Sequence, residues 1–343
     1  MKNHTLFCIR RCLPLLCAFV CLLLFVAAIP DKTTTIFVIG DSTAANKDLS
    51  KGKLERGWAM ALQCYFDDNI IVDNHAVNGR SSKSFIDEGR WDKVLEKLKP
   101  GDYVIIQFGH NDEKSQPNRH TDPGSTFDYN LARYVRETRE RGGIPVLMNC
   151  VVRRNFMIEA PVVADDEQLR NSTFNQGVRM IEGDSLIDTH GLYAQAPRDV
   201  AQRMNCLFVD ANKLTADLEQ GLGSEGSKRL HMWFLPDTEP TEPKGKQDNT
   251  HYNIYGAHTV AKILADALCS EVPLLKAYRT DADITVDEKG RGQFFTLTDA
   301  VAEAHKNPDA ETTIQILGGE WEKPRLPRKS KIHFVLRQGA SWK

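Results

Sequence analysis

Three short polar motifs, far apart in the chain, carry the residue types of a nucleophilic active site. They are Gly40-Asp41-Ser42-Thr43 near the start, Gly109-His110-Asn111-Asp112 in the middle and Asp248-Asn249-Thr250-His251 late in the sequence. A serine is a weak nucleophile until a histidine takes its proton, and the histidine needs a carboxylate to fix its tautomer. The motifs therefore supply a candidate nucleophile, Ser42, a candidate base, His251, and a candidate orienting carboxylate, Asp248.

The surrounding sequence predicts where these residues lie. Ser42 follows the apolar run 35–39, which predicts a buried strand with Ser42 at its carboxyl end. Open α/β sheets bind their ligands at this end of the strands. Asp248 and His251 are three residues apart, which is one helical turn or the span of a tight loop. One local segment can therefore present both side chains to Ser42.

Each motif alone is weak evidence for a site. A Gly-Asp-Ser sequence after a strand most often forms a turn, and an Asp-x-x-His sequence commonly lies at a helix end. A fourth segment, 74–81, follows the apolar run 70–72 and contains Gly79, whose missing side chain lets the backbone approach a substrate. The order of the four segments favours an active site over four unrelated turns because it resembles the order in a known hydrolase family.

This order of segments resembles that of the SGNH (GDSL-like) hydrolases. Within that superfamily the chain is most similar to the rhamnogalacturonan acetylesterases, over residues 35 to about 273. The residues that carry the similarity are Gly40-Asp41-Ser42-Thr43, Gly79-Arg80-Ser81-Ser82-Lys83-Ser84-Phe85, Gln107-Phe108-Gly109-His110-Asn111-Asp112 and Asp248-Asn249-Thr250-His251 with Gly256-Ala257.

The resemblance implies a function and a set of roles. It implies a carbohydrate esterase with Ser42, Asp248 and His251 as catalytic residues. It also implies an oxyanion hole formed by the Ser42 and Gly79 amides and the Asn111 side chain. The implied substrate is O-acetylated rhamnogalacturonan of pectin, as a polysaccharide or oligosaccharide.

Two other functions stay open at this point. One is deacetylation of another glycan such as xylan, which acetate release from both polymers would separate. The other is a carbohydrate-binding protein with a catalytically inactive hydrolase fold. The intact set of Ser42, Gly79, Asn111, Asp248 and His251 argues against an inactive protein, and acetate release from a small aryl acetate would decide it.

Further residues are candidates for substrate contact. Arg80 adjoins Gly79, and its guanidinium suits the carboxylate of a uronate. Trp233 and Tyr252 are candidates for stacking on sugar rings, although aromatic side chains more often pack in the core. His110 adjoins Asn111, but a histidine directly after a strand is more often a structural hydrogen-bonding residue, so the base role goes to His251.

No metal and no other cofactor is predicted. His251 and His258 lie seven residues apart, but no third ligand completes a zinc pattern. The cysteines Cys64, Cys150, Cys206 and Cys269 are widely spaced and form no metal or redox motif. We predict that they are mostly buried thiols.

The sequence predicts an α/β fold. Short apolar runs at 35–39, 70–77, 103–108, 144–149 and 207–209 are typical of buried parallel strands. Helical patterns separate them, and the alternation predicts a three-layer α/β/α sandwich with a parallel, flavodoxin-like sheet. The polar stretch 155–191 interrupts the pattern. We assign residues 31–273 to the hydrolase domain.

The first 28 residues resemble a secretory signal peptide. Lys2, Arg10 and Arg11 precede the apolar run 12–28, which ends in small residues. We predict a secreted or periplasmic protein without stable membrane insertion after cleavage. An uncleaved N-terminal anchor is the alternative, although the run is short for a transmembrane helix.

The charge of the mature chain bears on its partners. Cleavage removes three positive charges and no acidic ones, so the formal net charge changes from −2 to −5. This charge disfavours nucleic acid as a partner. The sequence specifies no oligomeric state.

A different pattern begins after a linker at 274–281. Residues 282–343 contain Gly290-Arg291-Gly292-Gln293-Phe294-Phe295-Thr296 and a following helical stretch, and they resemble the opening of a pectin methylesterase β-helix. The catalytic aspartates of that family lie in later coils, so no second active site is expected. A small α/β appendage packed on the esterase is the alternative. We predict that a chain ending near Ala277 keeps deacetylase activity and is more soluble.

Overall fold

Five short apolar segments form one parallel sheet in the computed structural model, which describes residues 33–156 and 183–343. The strands are β1 (Thr34–Gly40), β2 (Ile70–Asn74), β3 (Tyr103–Gln107), β4 (Ile144–Met148) and β5 (Leu207–Val209). Their order is β2-β1-β3-β4-β5, and every neighbouring pair is parallel. Because the strands are parallel, the loops after β1, β2 and β3 leave the same edge of the sheet, and the strand order reverses there between β1 and β3.

Helices cover both faces of this sheet. They are α1 (Trp58–Ala61), α2 (Ser82–Asp87), α3 (Arg90–Lys97), α4 (Thr126–Glu140), α5 (Leu192–Met204), α6 (Ala211–Ser227), α7 (Ile254–Glu271) and α8 (Pro273–Lys276). A further helix, α9 (Leu297–Ala304), belongs to the C-terminal residues and packs there rather than on this sheet. Short 3-10 helices lie at Ser50–Gly52, Leu62–Tyr65 and Lys228–Leu230. The axis of α6 is interrupted at Gly223, whose φ is +71°.

The side chains of β1 alternate between two buried clusters. Ile36 and Val38 pack in one cluster with α1 and α7, whereas Phe37 and Ile39 pack in the other with α3, α4 and α5. Successive residues of a strand point to opposite faces, so one central strand contributes to both layers of core. The fold is therefore the three-layer α/β/α sandwich that the sequence predicts.

A pair of antiparallel strands lies between α6 and α7 in the chain. These strands are β6 (His231–Phe234) and β7 (Lys246–Tyr252). Trp233 pairs with Gln247 and His231 pairs with Tyr252, so β7 has four residues where β6 has one. Residues 248–251 therefore form a bulge in β7.

The C-terminal residues form further parallel strands. β8 (Ile284–Val286), β9 (Thr312–Ile316) and β11 (Ile332–Leu336) make a sheet in the order β11-β9-β8. β10 (Gly319–Trp321) and β12 (Ala340–Trp342) make a parallel pair. These strands and α9 share a small buried cluster of their own. The similarity to a β-helix opening remains a prediction.

Some predictions concern residues outside the described ranges. The predicted signal peptide, residues 1–28, and most of the polar stretch 155–191 are among them. Within residues 33–156 and 183–343, every helix is too short or too polar to span a bilayer.

Candidate active site

Ser42 lies in a tight turn at the carboxyl end of β1. Gly40 closes the strand, and a Cβ there would lie 2.7 Å from the backbone oxygen of Gln107. The Asp41 carboxylate accepts hydrogen bonds from the Thr43 amide (2.9 Å) and hydroxyl (2.8 Å). Asp41 is fully buried, and burial raises its pKa although the bonds from Thr43 oppose this. These contacts fix Ser42 at the edge of the sheet.

The bulge in β7 presents Asp248 and His251 together. In a regular strand, residues three apart point to opposite faces. Here the Asp248 Oδ1 accepts hydrogen bonds from the main-chain amides of Thr250 and His251, both at 2.9 Å. This side-chain turn folds the four residues back on themselves and brings the two side chains to one side. The sequence predicted a helical turn or a tight loop, and the structure has a strand bulge closed by Asp248.

The bulge brings His251 into contact with Ser42. His251 Nδ1 lies 2.9 Å from Asp248 Oδ2, and His251 Nε2 lies 2.8 Å from Ser42 Oγ. A carboxylate only accepts hydrogen bonds, so Nδ1 is the protonated ring nitrogen. Nε2 therefore accepts a hydrogen bond from the serine hydroxyl. Asp248 and His251 are buried, whereas Ser42 is partly exposed. The serine thus faces solvent while its two partners are shielded.

Two further candidate residues lie beside Ser42. Gly79 has a φ of +75°, which favours glycine, and nothing lies within 4 Å of where its Cβ would be. Asn111 is buried, its Nδ2 donates to the Arg80 carbonyl (3.2 Å), and its Oδ1 accepts from Arg119 Nη1 (3.3 Å). The bond to Arg80 uses only one of the two hydrogens on Asn111 Nδ2. The side chain is held at both ends.

Asp112 connects the segments that carry Gly79 and Asn111. Its buried carboxylate accepts from the Ser82 amide (3.0 Å) and hydroxyl (2.5 Å) at the start of α2, and from the Thr121 hydroxyl (2.8 Å). Burial raises the pKa of Asp112 to about 7, although these hydrogen bonds favour the ionised form. No role for Asp112 was predicted from the sequence, since its partners come from two other segments.

A cavity of about 470 Å³ opens at Ser42. Its wall contains Ser42, Glu55, Asn78, Gly79, His110, Asn111, Lys114, Arg119, Arg153, Lys246, Asp248, Thr250 and His251. The predicted nucleophile, base, carboxylate and both further oxyanion residues therefore share one cavity. Four of the lining residues are cationic, and Arg153 pairs with Glu113. Lys114, Arg119 and Arg153 were not predicted from the sequence, because their common location depends on loops that are distant in the chain.

His110 is part of a buried chain of hydrogen bonds. Its Nδ1 lies 2.9 Å from His190 Nε2, and His190 Nδ1 lies 2.9 Å from Asp188 Oδ1. Burial and the neighbouring His190 lower the pKa of His110 well below its usual value. These contacts agree with a structural, uncharged histidine at position 110.

The three predicted substrate contacts have different surroundings. Arg80 lines a smaller depression that shares Gly79 and Arg119 with the cavity, and its Nε lies 3.0 Å from Glu88 Oε2. Trp233 is partly exposed, and its indole donates to Asn249 Oδ1 at 3.0 Å, but it does not line the cavity.

Tyr252 is fully buried, and its ring packs against His231. A ring without exposed surface cannot stack on a sugar, so Tyr252 is not kept as a substrate contact.

All four cysteines in the described residues are free thiols, and Cys206 alone among them is partly exposed.

Comparison with known proteins places this geometry in a family. The GDSL-like Lipase/Acylhydrolase family matches residues 38–257. A protein named rhamnogalacturonan acetylesterase RhgT, from Bacillus subtilis (strain 168), is 34% identical over 237 residues, covering 69% of this chain and 90% of the relative. A rhamnogalacturonan acetylesterase from Emericella nidulans is 29% identical over 256 residues, covering 73% of this chain and 91% of its own length.

A solved structure gives the same result for the fold. The crystal structure of the protein YxiM from Bacillus subtilis aligns with a TM-score of 0.52 at 22% identity, covering 70% of this chain and 57% of that protein. The family match extends from β1 to the start of α7 and includes all of the cavity-lining residues. The chain therefore belongs to the GDSL-like lipase/acylhydrolase family and is a hydrolase of carboxylic esters.

Proposed function

We propose that this protein removes O-acetyl groups from pectic rhamnogalacturonan by acyl transfer through Ser42. The observation that carries the proposal is the hydrogen-bonded series Ser42–His251–Asp248 at the mouth of a polar cavity. In the first step Ser42 Oγ attacks the acetyl carbonyl carbon while His251 Nε2 takes the hydroxyl proton. The carbonyl oxygen becomes an oxyanion, and Asp248 stabilises the imidazolium.

The oxyanion needs hydrogen-bond donors. The Ser42 and Gly79 amides and the Asn111 side chain supply them in this mechanism, since all three residues line the cavity. When the carbonyl re-forms, the bond to the sugar oxygen breaks, and His251 gives that oxygen its proton. Water then attacks the acetyl-enzyme with His251 as base, and acetate leaves as Ser42 regains its proton.

Two observations support the substrate. The relatives with 34% and 29% identity are named rhamnogalacturonan acetylesterases and are covered over 90% and 91% of their length. In addition, Lys114, Arg119 and Lys246 line the cavity and suit a polymer that carries uronate carboxylates. An acetylated polysaccharide or oligosaccharide is therefore the partner that we propose.

The test compares substrates and variants side by side. Acetate release is measured from acetylated rhamnogalacturonan, acetylated xylan and an aryl acetate, with the wild type, Ser42→Ala and the control Ser270→Ala, which changes an exposed serine on α7. We expect rhamnogalacturonan to be the preferred polymer and Ser42→Ala alone to be inactive. Preference for xylan would overturn the substrate, and an active Ser42→Ala would overturn the mechanism.

We also propose that residues 1–28 direct the chain out of the cytoplasm and are then removed. The charge and apolar pattern of that segment support this location. Expression in a bacterial host followed by N-terminal sequencing of the exported protein tests it. A chain that retains Met1, or that stays in the cytoplasm, would contradict the proposal.

A further inference from the structure

A buried lysine lies behind the wall of the catalytic cavity. The Lys47 side chain is 4% exposed. Its Nζ lies 2.6 Å from the Ser42 carbonyl oxygen, 2.7 Å from Asn78 Oδ1 and 2.8 Å from Glu55 Oε1. An ammonium group has three hydrogens and no acceptor, so these three oxygens use all of its donors. Lys47 thus joins the turn after β1, the loop after β2 and the loop before α1.

Two of these contacts involve the proposed oxyanion hole. Ser42 supplies one of its amides, and Asn78 immediately precedes Gly79, which supplies the second. We propose that Lys47 is a positioning residue that holds the Ser42 and Gly79 amides at the spacing required by the tetrahedral intermediate. This inference rests on the Ser42 mechanism proposed above. Donors held in place before the reaction act on the transition state without a cost of reorganisation.

Glu55 has a separable role. It lines the cavity and gives the buried ammonium a counter-charge, without which the burial of Lys47 would be costly. Burial opposes the ionisation of Glu55, but the nearby Lys47, with a smaller effect from His251, lowers its pKa overall. Removal of Glu55 leaves both contacts of Lys47 to the oxyanion segments in place, whereas removal of Lys47 breaks both.

The first experiment measures kcat and KM with an aryl acetate. We expect Lys47→Met to lower kcat by about 10- to 100-fold with little change in KM, because the lost contacts act on the transition state. Lys93→Met, which changes an exposed lysine on α3, is the matched control and should leave both constants unchanged. Glu55→Gln should lower kcat less than Lys47→Met does.

The double variant Lys47→Met/Glu55→Gln separates positioning from charge. If Lys47 only neutralised Glu55, removal of both charges would restore the rate, and that result would overturn the inference. We expect the double variant to remain as slow as Lys47→Met. Lys47→Arg keeps the charge, but its planar fork cannot direct three donors from one atom, so we expect a rate below that of the wild type by at least about fivefold.

A double-mutant cycle with Asn111→Ala tests the link to the oxyanion hole. Residues that act as one unit are not additive, so we expect the combined loss to be smaller than the product of the single losses. Fully multiplicative losses, or a Lys47→Met rate within about threefold of the wild type, would overturn the role of Lys47. If Lys47→Met does not fold, Lys47→Arg provides the test, and a wild-type rate in that variant would overturn the role of Lys47. An active Ser42→Ala would instead show that the mechanism itself is wrong.

Discussion

One carboxylate, that of Asp248, binds both the backbone and the ring of His251. Its Oδ1 accepts from the His251 amide at 2.9 Å, and its Oδ2 lies 2.9 Å from the ring Nδ1. Oδ1 also lies 3.2 Å from Nδ1, but Oδ2 is the nearer partner of the ring, so Oδ1 mainly closes the bulge of β7 and Oδ2 mainly fixes the imidazole tautomer. A substitution that changes only one of the oxygens can separate these tasks.

Asp248→Asn is that substitution. Its oxygen can still close the bulge, but its amide NH₂ would face Nδ1 and favour the tautomer with a proton on Nε2, which cannot accept the Ser42 proton. We expect kcat to fall on the order of 10³- to 10⁴-fold with an unchanged melting temperature. Asp248→Ala should lower both kcat and the melting temperature. A rate within about tenfold of the wild type in Asp248→Asn would rule out this role for the carboxylate.

Asn111→Ala removes one proposed oxyanion donor. We expect a loss of about 10²- to 10³-fold in kcat on the aryl acetate, the usual effect of one such donor. Asn307→Ala, at an exposed position after α9, is the control. If the loss at position 111 were below about threefold, Asn111 would serve only to shape its own loop through its contacts with Arg80 and Arg119.

The rate should fall in acid. A protonated imidazole has no lone pair left to take a proton, so a protonated His251 cannot act as the base for Ser42. The measurement is kcat/KM for the aryl acetate from pH 4 to 8, with circular dichroism at each pH to show that the protein stays folded. A flat profile over this range would exclude a histidine base.

How much of this site can be predicted from the sequence depends on how far apart the interacting residues are along the chain. Ser42 could be located at a strand end because the apolar run before it is local evidence. The contacts of Lys47 could not be predicted, because Ser42, Asn78 and Glu55 meet only after the sheet has formed.

Tyr252 shows a second reason why the structure differs from what the sequence predicts. Its aromatic side chain made it a candidate for stacking on a sugar ring. Adjacent residues of a strand point to opposite sides, so the strand that directs His251 to the cavity directs Tyr252 to the core. The bulge itself was not predicted, because it depends on the pairing of β7 with β6.

Asp112 should make stability depend on pH. Its pKa is about 7 in the folded protein and 3.8 without the burial that raises it, so between these values the folded state binds more protons than the unfolded state. The contribution of Asp112 to stability is therefore present below about pH 4 and is lost as the pH rises towards 7 and above. The side-chain amide of Asp112→Asn does not titrate, so the variant lacks this pH dependence.

Urea unfolding of the wild type and Asp112→Asn at pH 5 and pH 8 measures this effect. We subtract the free energy of unfolding of the wild type from that of the variant at each pH. We expect this difference to rise by about 1 kcal/mol or more from pH 5 to pH 8. Asp92→Asn, at an exposed position on α3, should show no such change. The same difference at both pH values would mean that Asp112 does not titrate in this range.

The C-terminal segment makes specific contacts with the esterase residues. Gln315 Nε2 donates to the Cys64 carbonyl oxygen at 3.0 Å, and the Cys64 thiol lies 3.2 Å from the Arg291 carbonyl oxygen. The Arg337 guanidinium pairs with Asp68, with Nη2 2.9 Å from Oδ1. These contacts bear on the proposed boundary near residue 277, because a shorter chain would expose the buried Cys64 and its unpaired carbonyl.

A chain that ends at Ala277 tests that boundary. We expect it to keep its activity on the aryl acetate, since the cavity-lining residues all lie between Ser42 and His251. We also expect a lower melting temperature than that of the full chain, because Cys64 would lose the two partners described above. The newly exposed surface opposes the gain in solubility that the sequence suggested, and sedimentation of both chains measures the balance. Loss of activity in a folded shortened chain would show that the segment supports the catalytic residues. Equal melting temperatures would show that the two parts are independent.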